Sequence, residues 1–168
     1  MTALTAEWEH MSTNEASVLV VRCDTAETVH IQHLLSHMSL PIDGVWHAAG
    51  VLADGLLAKQ SVSSLSRVYA PKALGGWALH ESTALIPLGT YALFSSIAAL
   101  MGSAGQTNYS AANASLDMLA MLRRADGHTS VSVQWGAWAE IGMASRGAAS
   151  ERMAAMEAST QLTANKKK

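Results

Sequence analysis

The sequence predicts an α/β fold in three layers about a parallel sheet. Four short apolar, valine- and aromatic-rich segments have the length of buried strands: residues 18–22, 44–48, 91–96 and 130–135. Helical patterns fall between them, and strands alternating with helices pair in parallel through right-handed crossovers. The composition fits, because 49% hydrophobic and 14% charged residues over 168 positions describe a globular chain long enough for one core.

Each element follows from its own residues. The first strand, residues 18–22, runs into Thr25, which can cap a helix carrying Ile31, Leu34, Leu35 and Met38 at helical spacing. After the second strand comes a longer helical stretch, residues 63–85, in which Leu65, Val68, Leu74 and Leu79 recur and Pro71 is expected to bend it or divide it in two. The third strand precedes an alanine-rich helix over residues 108–124, with Leu116, Leu119, Met121 and Leu122 as its apolar positions. The first domain is expected to span residues 1–147, and residues 148–168 a helix with a frayed basic end.

Charge and cysteine content exclude several functions. A formal net charge of -2 gives no basic field for a phosphate backbone, so nucleic acid is not an expected partner. Cys23 is the single cysteine, which rules out an intramolecular disulfide framework and fits a reducing compartment such as the cytoplasm. No apolar run approaches the ~20 residues that cross a bilayer. His30, His33 and His37 fall near one helix face but have no accompanying carboxylates, so no metal site is expected.

Ligands of parallel α/β sheets sit beyond the carboxyl ends of the strands, which directs attention to the residues after His47, Phe94 and Trp135. There the chain reads Leu93-Phe94-Ser95-Ser96, and thirteen residues past Ser96 comes Tyr109-Ser110-Ala111-Ala112-Asn113. A serine at a strand end, followed by a helical tyrosine with a polar partner four residues on, resembles the short-chain dehydrogenase/reductase superfamily. Most members carry lysine at that fourth position; this chain has Asn113, and its lysine, Lys72, stands upstream in Ala70-Pro71-Lys72. That exchange resembles the ketoreductase domains of modular polyketide and fatty acid synthases. His47-Ala48-Ala49-Gly50-Val51-Leu52 and Trp135-Gly136-Ala137-Trp138 match the same subgroup.

The resemblance implies a partial Rossmann-like fold of about four strands lacking its first βαβ unit. It also implies NADPH-dependent reduction of a 3-ketoacyl chain on an acyl carrier protein, within a larger synthase. Hydride addition leaves negative charge on the ketone oxygen, so such a site needs a proton donor and hydrogen-bond donors aimed there. Tyr109 is implied as the acid, Ser96 as the carbonyl donor, Lys72 as the group lowering the phenol's pKa and Asn113 as its support. Taken singly, Tyr109 reads equally as a packing residue, Ser96 as a cap for the following turn and Lys72 as a solvated charge. Asp24, Ala48, Ala49, Gly50, Tyr109, Lys72, Trp135 and Gly136 are implied cofactor contacts, with Asp24 at the adenine edge or, alternatively, in a helix cap. Trp138 belongs to the core or a pocket wall.

Leu52-Ala53-Asp54 resembles a partly retained B-type fingerprint, and Met101 stands eight residues before Tyr109, where A-type domains carry tryptophan. Asp54 and Met101 together imply a D-configured hydroxyl. The first glycine is Gly44, so no glycine-rich turn precedes the first strand to cradle a pyrophosphate. The two strands that in the family separate the third from the fourth are missing as well. Residues 18–22 are therefore expected to dock beside the next strand or lie on an exposed edge, in a fragment of marginal stability and weak NADPH affinity. Two other readings stay open: a non-catalytic remnant of such a domain, and a free-standing reductase of small ketones.

Overall fold

A computed structural model describes residues 18–39 and 41–136. Its sheet has three strands, β1 (Gly44–His47), β2 (Thr90–Ser96) and β3 (Val131–Trp135), in the order β1-β2-β3. Both pairings are parallel, with Val45 opposite Tyr91, His47 opposite Leu93, and Ser96 opposite Trp135. The expected strand over residues 18–22 does not form. Val18, Leu19, Val20 and Val21 are all exposed, from 44% to 81%. Strand propensity in β-branched residues is realised only against a neighbouring ladder, and no described strand lies beside this segment. Residues 148–168 and Trp138 lie outside the described residues.

Helix α1 (Thr28–Ser36) starts later than expected, and its N-cap is Glu27 rather than Thr25, with no side-chain cap. Asp24 instead closes a turn just before it, its carboxylate accepting from the Ala26 N–H at 3.0 Å. The long stretch after β1 is divided where Pro71 stands: α2 (Val62–Tyr69), a π-helical turn over Ala70–Leu74, and α3 (Gly75–Ser82). A capping box starts α2, with Ser61 and Ser64 each taking the other's backbone N–H. After β2 come the short α4 (Ala98–Met101) and the long α5 (Thr107–Ala125).

Strand alternation decides which side chains meet the helices. His47, Tyr91, Leu93, Ser95, Ser132 and Gln134 share one face, and their hydrogen bonds run to the π-turn, α3 and α5. The main core lies there, where Leu88, Tyr91 and Leu93 pack on Leu116, Leu119 and Ala120. Trp46, Ala92, Phe94, Val131 and Val133 occupy the opposite face, where Trp46 stays 63% exposed. A second cluster, Val68, Ala98, Tyr109 and Ala112, seats α5 against α2 just beyond the strand ends.

Candidate active site

The strand ends of β1 and β2 face the π-turn and the first turns of α5, and the candidate residues gather there. The pattern of α5 drives this: Tyr109, Ala112, Asn113 and Leu116 recur at helical spacing and are buried. Lys72 is just 3% exposed, its ammonium donating to the Phe94 carbonyl at 2.8 Å and standing 5.3 Å from the centroid of the Tyr109 ring. Burial holds the Lys72 pKa down at about 8, while the Asp117 carboxylate, two turns along α5 from Tyr109, pulls the other way. Asn113 is fully buried. Its amide donates to the Tyr109 carbonyl at 2.8 Å, while its Oδ1 has no hydrogen-bond partner, an acceptor left free for a further group.

Ser96 ends β2, two residues after the carbonyl that holds the ammonium, and its Oγ accepts from the Ala98 N–H at 3.2 Å. The adjacent Ser95 hydroxyl donates to the Asn113 carbonyl at 3.2 Å, which fixes the end of β2 against α5. Gly50 faces the lysine. A Cβ there would lie 2.9 Å from Lys72 Cε, so a side chain at position 50 would displace the lysine stem. Ala48 beside it is exposed and Ala49 partly so. At the end of β3, Trp135 packs on Phe94 with ring centroids 5.6 Å apart, its carbonyl accepts from the Ile97 N–H at 3.0 Å, and a Cβ on Gly136 would meet nothing within 4 Å.

Asp54 lies on a loop tied to the approach to α5: its carboxylate accepts from Gln106 at 3.2 Å, and the Gly55 N–H donates to the Gly105 carbonyl at 2.8 Å. Two candidates stand apart from the cluster. Met101 is 76% exposed at the end of α4. Asp24 borders a cavity of about 380 Å³ between residues 21–24 and His30, His33 and Leu34 of α1. The rings of His33 and His37 stack at 4.3 Å, and among the described residues no group of three or more His, Cys, Asp or Glu is arranged to hold a metal ion.

Several residues that shape the site carry no role in the sequence reading. His47 is buried with Nε2 2.9 Å from the Lys72 carbonyl. Asn108 is 2% exposed; its amide donates to the carbonyls of Ala53 at 2.8 Å and Ser64 at 3.4 Å, joining the Asp54 loop, α2 and α5 next to Tyr109. Asp117 accepts from Ser132 and Gln134, pinning α5 to β3. For His47 the signal was its place at the head of the His47–Gly50 block; nothing in the sequence marked the other two.

A parallel sheet whose strand ends meet a helical tyrosine, a buried lysine and an asparagine one turn on defines an α/β domain of the short-chain dehydrogenase/reductase type. The family model described as KR domain matches residues 2–140, and the chain belongs to that family. It is 44% identical over 144 residues to polyketide synthase GfsA of Streptomyces halstedii, covering 84% of this chain and 2% of that protein. Among solved structures it matches A-type ketoreductases from a modular polyketide synthase at 38% identity and a TM-score of 0.81, over 90% of this chain and 32% of the other. A C2-type ketoreductase from a modular polyketide synthase matches at 33% identity and a TM-score of 0.78, over 90% and 34%. The chain thus spans about a third of the length of these solved ketoreductases and a small part of the synthase. Among the described residues no helix is long and apolar enough to cross a membrane.

Proposed function

We propose that this chain takes part in the NADPH-dependent reduction of a 3-ketoacyl thioester, borne on an acyl carrier protein, to the 3-hydroxyacyl thioester during polyketide or fatty acid assembly. The observation that carries the reading is the buried Lys72 ammonium, held between the Phe94 carbonyl and the Tyr109 ring with Asn113 one turn further along α5. The Lys72 ammonium stands 5.3 Å from the centroid of the Tyr109 ring, a positive group beside the phenol, and Tyr109 would give its proton to the ketone oxygen as hydride adds.

The residues present fit a nicotinamide cofactor. The free Oδ1 of Asn113 offers a buried acceptor for the proton path, and the small residues Ala48, Ala49 and Gly50 leave room beyond β1. Lys72, Tyr109, Trp135 and Gly136 would hold the nicotinamide end and Asp24 the adenine end beside its cavity. Bound there, the cofactor supplies the hydride. Ser96 would hold and polarise the carbonyl by donating its hydroxyl hydrogen to the substrate oxygen while its Oγ goes on accepting from the Ala98 N–H.

NADPH oxidation by the chain, followed by fluorescence with a short 3-ketoacyl thioester, tests the reading. Tyr109→Phe is expected to lower the rate by about 10²–10⁴-fold while leaving the melting temperature nearly unchanged, because the ring and its packing are kept. Equal rates for the two proteins, or no rate above background in either when placed in its synthase, would defeat it. For the product we propose a D-configured hydroxyl. This rests on Asp54 and Met101 rather than on overall backbone likeness, which the chain shares with A-type and C2-type domains. Chiral separation of the hydroxy product decides it, and an L product would reverse the assignment.

A further inference from the structure

We propose that His47 is a positioning residue that aims the Lys72 amine by holding the π-turn from which it projects. The inference rests on the reductase reading of Lys72 and Tyr109 and adds a residue to that site. Pro71 has no N–H, and its ring would collide with the preceding turn of a regular α-helix. The chain answers by widening into the π-turn over Ala70–Leu74, with the Gly75 N–H reaching back to the carbonyls of both Ala70 and Lys72. Such turns are rare single-turn bulges within α-helices, frequent at functional sites, and a hydrogen bond from outside favours one over a kinked helix.

His47 supplies that bond. Its Nε2 lies 2.9 Å from the Lys72 carbonyl, and since a carbonyl only accepts, Nε2 carries the hydrogen and donates. The ring reaches the turn from the end of β1, twenty-five residues away in sequence, so the contact joins strand and turn directly. Gly75 gives it room: a Cβ there would come within 3.1 Å of His47 Cε1, while one on Gly76 would meet Cδ2 only at an ordinary contact distance of 3.7 Å. The imidazole is thus clamped among β1, the π-turn and α3. Burial holds its pKa below the ordinary 6.5, so the ring stays neutral and serves as a fixed donor without adding a second positive charge beside the ammonium.

With the backbone of residue 72 fixed, its side chain runs past Gly50 to the Phe94 carbonyl and the Tyr109 ring. The charged or titratable groups facing that amine are Tyr109 from α5, Asp117 further along α5 and His47 from β1. Neither Tyr109 nor Asp117 replaces the hydrogen bond from the His47 imidazole to the Lys72 carbonyl that sets where the amine starts.

The full chain, without cofactor or ketone, is sufficient for the test. The pH midpoint of Lys72 is followed by NMR of chain labelled with [13C]lysine, assigned with Lys72→Arg, in the native protein and in His47→Gln, His47→Asn and His47→Leu. Glutamine places an amide N–H near the position of Nε2, whereas asparagine reaches only as far as Nδ1 and leucine donates nothing. The native protein and His47→Gln are expected to titrate near 8, with His47→Asn and His47→Leu moving toward the ordinary 10.5 as the amine reaches water. Coincident midpoints in folded His47→Gln and His47→Asn would overturn the proposal. So would loss of folding in every variant including His47→Gln, since the contact would then serve folding and not aim. A variant-dependent midpoint in a chain that reduces no ketone would sink the reductase reading alone; unchanged midpoints in a chain that does would sink this inference alone.

Discussion

Lys72 and Gly50 depend on each other at the scale of single atoms. The lysine stem occupies the space where a side chain at position 50 would begin, 2.9 Å from Cε, and the stem is flexible enough to yield. Gly50→Ala is therefore expected to leave the melting temperature within about 2 °C of the native value. On the proposed function it should nevertheless lower the rate of ketone reduction by about ten- to a hundredfold, the scale on which a misplaced group at a reaction centre costs rate. Thermal melting and initial rates on the same preparations check both halves, and equal activity with equal stability would show that the lysine does not need that space. That Lys72, Tyr109 and Asn113 come together was legible in the sequence, because their order and spacing carry the pattern even though each residue alone is ambiguous. The clearance role of Gly50 was not, because it depends on a side chain arriving from a segment twenty-two residues later.

At the scale of elements, the departures from expectation come where one element needs another. Ranges for β1, β2, β3 and α5 agree with their apolar patterns to within one residue, since those patterns describe burial on a single element. Residues 18–22 have equally good strand composition and form no strand, because a ladder requires a neighbour that composition does not supply. Arg123 gives the same lesson: near the end of α5 it looks like a solvated charge, yet it is 2% exposed, 3.8 Å above the Tyr91 ring and 2.6 Å from His80. Glycine in α3 is a further case. By propensity, alanine at Gly76 should gain up to ~1 kcal/mol. Its Cβ would fall 2.9 Å from Leu116 and 3.4 Å from Leu119, inside the contact between α3 and α5. Gly76→Ala is accordingly expected to cost about 1–3 kcal/mol in urea unfolding, as overpacking does. A gain in stability would mean the two helices separate freely.

Over the whole molecule, the buried titratable groups give the folded chain a common pH dependence. His47 and His80 both have pKa values held below the ordinary 6.5, chiefly by burial, and for His80 also by the Arg123 guanidinium beside it. Below 6.5 the unfolded chain takes up protons that the folded chain refuses, so stability falls as pH drops from there. Lys72 acts in the same sense on the alkaline side: between about 8 and 10.5 the unfolded lysine is protonated while the folded one is not, and stability rises with pH across that window. Tyr91 opposes it from about pH 10 upward, because burial raises its pKa and only the unfolded chain then ionises. The two alkaline contributions cancel between about pH 10 and 10.5, which places maximum stability there, above the usual range of pH 5–8. Urea unfolding from pH 5 to 11 checks this, with two variants assigning the limbs. Lys72→Met removes a buried charge along with its titration, so it is expected to be more stable than the native chain at pH 7, by on the order of 3 kcal/mol, and to lose that advantage by pH 10.5. His47→Gln combined with His80→Gln should flatten the acid limb and leave the alkaline one unchanged. A native curve that peaks below pH 7, or a constant difference between Lys72→Met and the native chain, would mean that the ammonium is solvated in solution, and the site could not hold Tyr109 beside a desolvated amine.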